Sequence, residues 1–246
     1  MKTAALTLAV LALVAAAAPA VEEAAYQTSE YTLTQDRVAR PTGEHFQFDY
    51  VNPDDPEGKP PAVKEVVTIL PRGARYDPSV PGSCTASDEE LMLQGAAACP
   101  ADSAIGGGVI TVDTGVPGPG RIVTADTEFF NNAEDPEGEF IYLNTVRDTG
   151  ARTVVRADVT KRRTITVAPM LPGTPPDGGA IDTVDVDVAK VARRVDGERR
   201  GYITTPDRCR RSRTWFARVR FTYGEDSSQV VATPNPCKRG RAGGAR

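Results

Sequence analysis

Residues 213–223 read Arg-Thr-Trp-Phe-Ala-Arg-Val-Arg-Phe-Thr-Tyr. Every second position is apolar: Trp215, Ala217, Val219, Phe221 and Tyr223 share one face, and Arg218 and Arg220 share the other. That period of two belongs to a β-strand with one buried face, because successive strand side chains point to opposite sides. The pattern recurs upstream. Asp182-Thr-Val-Asp-Val-Asp-Val188 turns Val184, Val186 and Val188 inward, and His45-Phe-Gln-Phe-Asp-Tyr50 groups Phe46, Phe48 and Tyr50. Further runs lie at 63–70, 109–113, 121–130, 140–146, 153–159, 164–167 and 229–233, separated by Pro, Gly, Asp and Asn. The Gly106–Gly108 run reads as a flexible lead into the strand at 109–113. About ten short strands with turn signals between them predict an all-β antiparallel sandwich, immunoglobulin-like or jelly-roll-like.

Composition agrees. The chain has 246 residues, 40% hydrophobic, with 22 Gly and 20 Pro. Twenty prolines oppose a mostly helical protein, since an interior proline removes a hydrogen bond and clashes with the preceding turn. One short helix is expected where Ser87 caps and Glu90 follows three residues on, ahead of Leu91 and Leu93.

Residues 1–20, MKTAALTLAVLALVAAAAPA, have Lys2, an uncharged apolar run and Ala18-Pro19-Ala20. They read as a signal peptide, too short to be a membrane span of roughly 18–20 residues. The expected domains are residues 21–237, with a possible two-half organisation around 169–179, and a disordered basic tail at 238–246. An exported protein meets an oxidising environment, and four cysteines allow three pairings. Order favours Cys84–Cys99 and Cys209–Cys237. A four-cysteine zinc site is the alternative, opposed by the absence of any C-x-x-C pair.

Charge is uneven. Residues 21–189 hold 13 basic and 28 acidic side chains, whereas residues 190–246 hold 15 and 5. The densest part is Arg193–Arg213, and within it Arg208, Arg210, Arg211 and Arg213 are a candidate site for a polyanion such as a cell-wall polymer. The plainer reading is a basic strand pair lying on or beside an acidic sheet surface. A formal net charge of −4 argues against a general nucleic-acid binder.

Two acidic turns are weak calcium candidates. Asp54, Asp55 and Glu57 lie in one, and Glu134, Asp135 and Glu137 in the other. Neither has EF-hand spacing. The two turns, Asn52–Gly58 and Asn132–Gly138, also resemble one another, which reads either as two related halves or, more plainly, as convergent Asp-Pro-Glu-Gly turn chemistry.

Catalytic motifs are scarce. There is no G-x-S-x-G elbow, no H-E-x-x-H and no Lys-Ser/Thr after Gly106–Gly108. The single histidine, His45, reads as an exposed edge residue. Paired carboxylates for glycoside hydrolysis are a matter of geometry. Tyr26, Tyr31, Tyr76, Tyr142 and Tyr202 remain as scattered surface tyrosines, possible sugar platforms.

Two stretches carry a resemblance: Thr205-Pro-Asp-Arg-Cys209, Trp215, Phe221-Thr-Tyr223 and Pro236-Cys237 close the chain, and Leu70-Pro-Arg-Gly73, Cys84, Ala98-Cys-Pro100 and Ser103-Ala-Ile-Gly106 lie in its first half. Together they resemble a group of uncharacterised secreted all-β proteins of high-GC Gram-positive bacteria. The resemblance implies an exported β domain and brings no activity with it. The expected function is a non-catalytic extracellular or cell-surface binding or structural module. Its partner would be a cell-wall polymer or surface protein, with no nucleic acid and no stable membrane insertion after signal cleavage. The alternative is a sandwich-fold carbohydrate-active enzyme or a calcium-dependent carbohydrate-binding module.

Overall fold

The computed structural model describes residues 27–50, 52, 54–133, 138–195, 197–223 and 227–238. The expected signal peptide, the second acidic turn (Glu134, Asp135, Glu137), Tyr26 and residues 239–246 lie outside the described residues.

The chain is mostly antiparallel β, as the alternation predicts. Its strands are β1 (Gln27–Leu33), β2 (Pro41–Thr42), β3 (Glu44–Tyr50), β4 (Glu65–Ile69), β5 (Arg75–Tyr76), β6 (Ala104–Asp113), β7 (Ile122–Asn132) and β8 (Glu139–Val146). They continue with β9 (Arg152–Val159), β10 (Arg163–Val167), β11 (Ala180–Val188), β12 (Ala192–Val195), β13 (Glu198–Gly201), β14 (Ile203–Thr204), β15 (Thr214–Thr222) and β16 (Ser228–Pro236).

Eleven of these form one continuous sheet in the order β1-β3-β11-β6-β7-β8-β9-β10-β4-β15-β16. Every ladder in it is antiparallel. The sheet curls until β16 meets β1, giving a nearly closed barrel. The expected pair of face-to-face sheets, immunoglobulin-like or jelly-roll-like, is therefore not what the ladder order describes. Period-two alternation is common to both architectures.

The seam has its own chemistry. With eleven alternating strands, the first and last run in the same direction, and the bridge between Arg37 and Lys238 just beyond them is parallel. Side chains of β16 replace a main-chain ladder. Tyr31 N donates to Thr233 Oγ1 at 3.2 Å, Leu33 N donates to Asn235 Oδ1 at 2.6 Å, and Asn235 Nδ2 donates to the Tyr31 carbonyl at 3.0 Å. Gln229 Nε2 donates to the Gln27 carbonyl at 3.1 Å. Pro234 and Pro236 in β16 have no N–H to offer a further strand, so the polar side chains beside them take over.

Strand β6 begins further upstream than expected. Gly106–Gly108 belong to the strand rather than to a flexible lead. A Cβ on Gly106 would stand 2.0 Å from the Asp187 carbonyl oxygen, and one on Gly108 2.1 Å from that of Asp185. Glycine is what allows the neighbouring backbone this close.

The helix α1 (Asp88–Gln94) forms as expected. Ser87 Oγ accepts from Glu90 N at 3.2 Å, and Glu90 Oε2 accepts from Ser87 N at 2.8 Å. Leu91 is buried with Phe130, Ile141 and Leu143 on the outer face of the barrel, whereas Leu93 is exposed. Disulfides join Cys84 to Cys99 around this helix, and Cys209 to Cys237. Arg156 adds a polar tie, donating to Asp88 at 2.7 Å, Glu139 at 2.6 Å and the Ala86 carbonyl at 2.8 Å.

The small sheet β2-β14-β5 lies at the end of the barrel where β3 begins. It carries Tyr76, and Tyr202 immediately precedes β14; both are buried. This end is the closed end. The other end, where β6 finishes and β7 starts, is the mouth. Residues 169–179 join β10 to β11 at the mouth, and strands from both sides of that segment interleave in the same sheet.

Candidate functional site

Aromatic side chains fill the barrel beside the seam. Phe48 packs edge-on against Phe221 at 5.2 Å, and Tyr50 stacks on Tyr223 at 5.5 Å. On the β6–β10 side the interior is not filled. Ile110, Val112, Val123 and Val155 face inward yet are only half-buried. They line a partly open cavity of about 340 Å³ that runs from Glu44 to Thr114, Pro169 and Leu171 at the mouth. An eight-stranded barrel is just filled by its own side chains; eleven strands enclose more room than these side chains occupy.

The sheet's outer face carries His45, Asp49, Asp126, Glu128, Asp185, Asp187, Arg218 and Arg220, opposite the inward apolar positions. This is the reverse of a membrane-spanning barrel, whose outer band is apolar. No described helix is long and apolar enough to cross a membrane.

The lining is apolar except near the closed end. There Glu44, the only carboxylate on the cavity wall among the described residues, accepts from two tyrosines. Tyr31 Oη donates to Glu44 Oε2 in a short contact, and Tyr76 Oη reaches the same oxygen at 3.1 Å. The two hydroxyls lie 3.0 Å apart. Burial pushes the Glu44 carboxyl up from 4.5 to about 7, against the lowering effect of both tyrosine hydrogen bonds. Burial, reinforced by the Glu44 charge, raises Tyr31, Tyr76 and Tyr202 well above the usual phenol value. Higher on the wall, Tyr142 Oη lies 3.1 Å from Thr166 Oγ1, and burial pushes that phenol up to about 12. Asn144 Oδ1 is buried without a hydrogen-bond partner among the described residues.

These tyrosines correct the expectation of scattered surface platforms. Tyr31, Tyr76 and Tyr202 are buried and Tyr142 is a half-buried wall residue, so none is a flat exposed sugar platform. Glu44 was legible as an inward residue, because it shares the parity of Phe46, Phe48 and Tyr50.

The mouth is framed by polar contacts. Arg121 pairs with the buried Asp113 at 3.0 Å. Lys59 Nζ ties down the 169–179 segment through the Thr174 carbonyl at 2.7 Å. That segment projects Leu171 into the cavity wall and Met170 into solvent.

The other candidate residues lie elsewhere. Asp54, Asp55 and Glu57 form an exposed turn between β3 and β4, on the mouth side. Asn132 and Glu139, which flank the second acidic turn, lie toward the opposite end, so the two turns do not share a site. Among the described residues no group of three or more potential ligands could hold a metal ion. His45 sits in β3, between β1 and β11, not on a sheet edge, with Nδ1 3.1 Å from Asp187 Oδ1. Arg208, Arg210, Arg211 and Arg213 are exposed at the closed end, and none makes an ion pair among the described residues.

No family profile, curated protein or solved structure matches this chain.

Proposed function

We propose that this protein is an extracellular, non-catalytic binder of a small apolar molecule, held in the barrel with its polar end toward Glu44. The observation that carries the reading is the accessible apolar cavity, whose volume falls in the range of small-molecule sites, roughly 300–1,000 Å³. Removing apolar ligand surface from water supplies the affinity, at about 25 cal/mol per Å² before ordering costs are subtracted. The Glu44–Tyr31–Tyr76 cluster supplies orientation. A hydroxyl, carbonyl or amine can bond there, whereas a ligand carboxylate would face an acid that is half ionised near pH 7. The two disulfides and the N-terminal apolar run support an exported setting.

The enzyme alternative finds less support in this cavity. Glycoside hydrolysis needs two carboxylates flanking the bond, and among the described residues the wall presents one.

The test is titration with a fluorescent apolar probe such as N-phenyl-1-naphthylamine, followed by competition with long-chain alcohols and fatty acids. Saturable binding is expected, with alcohols displacing the probe at pH 8 and fatty acids competing better at pH 5. Ala125→Trp and Val155→Trp, which fill the cavity, should abolish binding while the β circular dichroism signal persists. A probe that does not bind, or binds equally to both filled variants, overturns the reading.

A further inference from the structure

We infer that the closed end of the barrel is a docking surface for a flexible, linear anionic polymer. The fold draws five separate segments together there. Thr204 pairs with Pro41 on one side and Arg75 on the other. Thr205 Oγ1 donates to the Arg37 carbonyl at 2.7 Å, and Ala39 N donates to the Pro206 carbonyl at 3.0 Å. Tyr76 N donates to the Lys161 carbonyl at 2.9 Å, so the β9–β10 turn joins the same end. The Cys209–Cys237 disulfide and the Arg37–Lys238 bridge close the circuit.

Residues 36–41, 70–76, 160–163, 204–213 and 237–238 together hold twelve basic and two acidic side chains. One of the two acids, Asp36, is taken by Lys238 at 2.5 Å. By contrast, the nearby β12–β13 hairpin has partners: Arg193 pairs with Asp102 at 2.8 Å and Arg200 with Asp77 at 3.4 Å. The basic cluster is thus an internal feature only in part; most of its charge faces water.

This charge is also held in place. Trp215 Nε1 donates to the Arg208 carbonyl at 2.8 Å, Arg213 N to the Arg210 carbonyl at 3.0 Å, and Cys237 N to the Arg213 carbonyl at 2.9 Å. Like charges fixed side by side repel, and a bound polyanion relieves that repulsion. Guanidinium forks match phosphate and carboxylate oxygens in pairs. A bilayer fits less well, because these five segments expose no large apolar side chain; beside them Phe216, near the start of β15, is half exposed. Val116, Val167 and Met170, which are exposed, belong to the mouth. The surface is independent of the cavity.

The experiment is a binding titration of the disulfide-bonded protein against long-chain inorganic polyphosphate across a series of salt concentrations. Arms with phosphatidylglycerol vesicles and with a duplex oligonucleotide run alongside. Polyphosphate is expected to bind at low salt, with affinity falling log-linearly as salt rises. The quadruple variant Arg208→Ser, Arg210→Ser, Arg211→Ser, Arg213→Ser should lose at least about tenfold in affinity and show a salt slope shallower by about 3. Its uptake of the apolar probe should be unchanged, which separates this result from the cavity reading. An Arg147→Ser variant at the mouth should bind polyphosphate like the parent. No binding at low salt, an unchanged quadruple variant, or tighter binding to vesicles or duplex each overturns the inference.

Discussion

Asn235, in the last strand, donates its side-chain amide to the main-chain carbonyl of Tyr31, in the first, at 3.0 Å, and accepts from Leu33 N at 2.6 Å. One buried side chain thereby satisfies two backbone groups that a conventional ladder would have paired. Asn235→Ala leaves both unpaired in a buried seam. It is expected to lower stability by about 1–3 kcal/mol, measured by urea unfolding. A variant with unchanged midpoint would show that the barrel does not depend on this seam.

Stability should depend on pH through Glu44. Its folded pKa, about 7, lies above the ordinary 4.5 because burial disfavours the charged form. The folded state therefore holds a proton that the unfolded chain has released between those values. The contribution of neutral Glu44 is fully present below about pH 4.5 and is lost as pH rises through about 7, a fall of order 3 kcal/mol at most. Glu44→Gln should flatten this dependence and be more stable than the parent at pH 8, as read from melting temperature across pH.

Backbone proximity at β6 makes a sharper prediction. Gly108→Ala places a methyl group 2.1 Å from the Asp185 carbonyl oxygen, so β6 or β11 must shift. A loss of about 1–3 kcal/mol is expected. Gly120→Ala, with nothing within 4 Å of the new atom, should change stability little.

Removing Cys84–Cys99 by a double Ser substitution frees a loop of 15 residues, worth about 3 kcal/mol in the chain-entropy account. Hydrogen exchange should show loss of protection first in α1, with the barrel strands retained.

The local elements were legible because their causes are local. Alternation named the inward faces of β3, β11 and β15, and the Ser87–Glu90 box named α1. The barrel was not legible, because it rests on pairings between distant segments. β11 inserts between β3 and β6, and β15 pairs with β4. Alternation says which side chains turn inward and not whether they meet a second sheet or an open space. The candidate site was hidden for the same reason. Tyr31 and Tyr76 are far apart in the chain and meet at Glu44 only once the sheet has curled. The clustering of Arg208–Arg213 was visible, whereas the addition of Arg37, Arg40, Arg72 and Arg75 from the acidic part of the chain was not.

The parallel seam between β1 and β16 joins residues 202–204 positions apart. No portion of the sheet that lacks either strand can shut. A chain whose β16 has not yet docked is therefore an open, curling sheet with its apolar inner face in water. Contacts of such long sequence separation form late and slowly. Such an open intermediate offers two unpaired edges to other chains. The nine residues of β16, with two prolines and the Thr233 and Asn235 side chains, set both when the cavity comes into being and how long the protein stays vulnerable to aggregation.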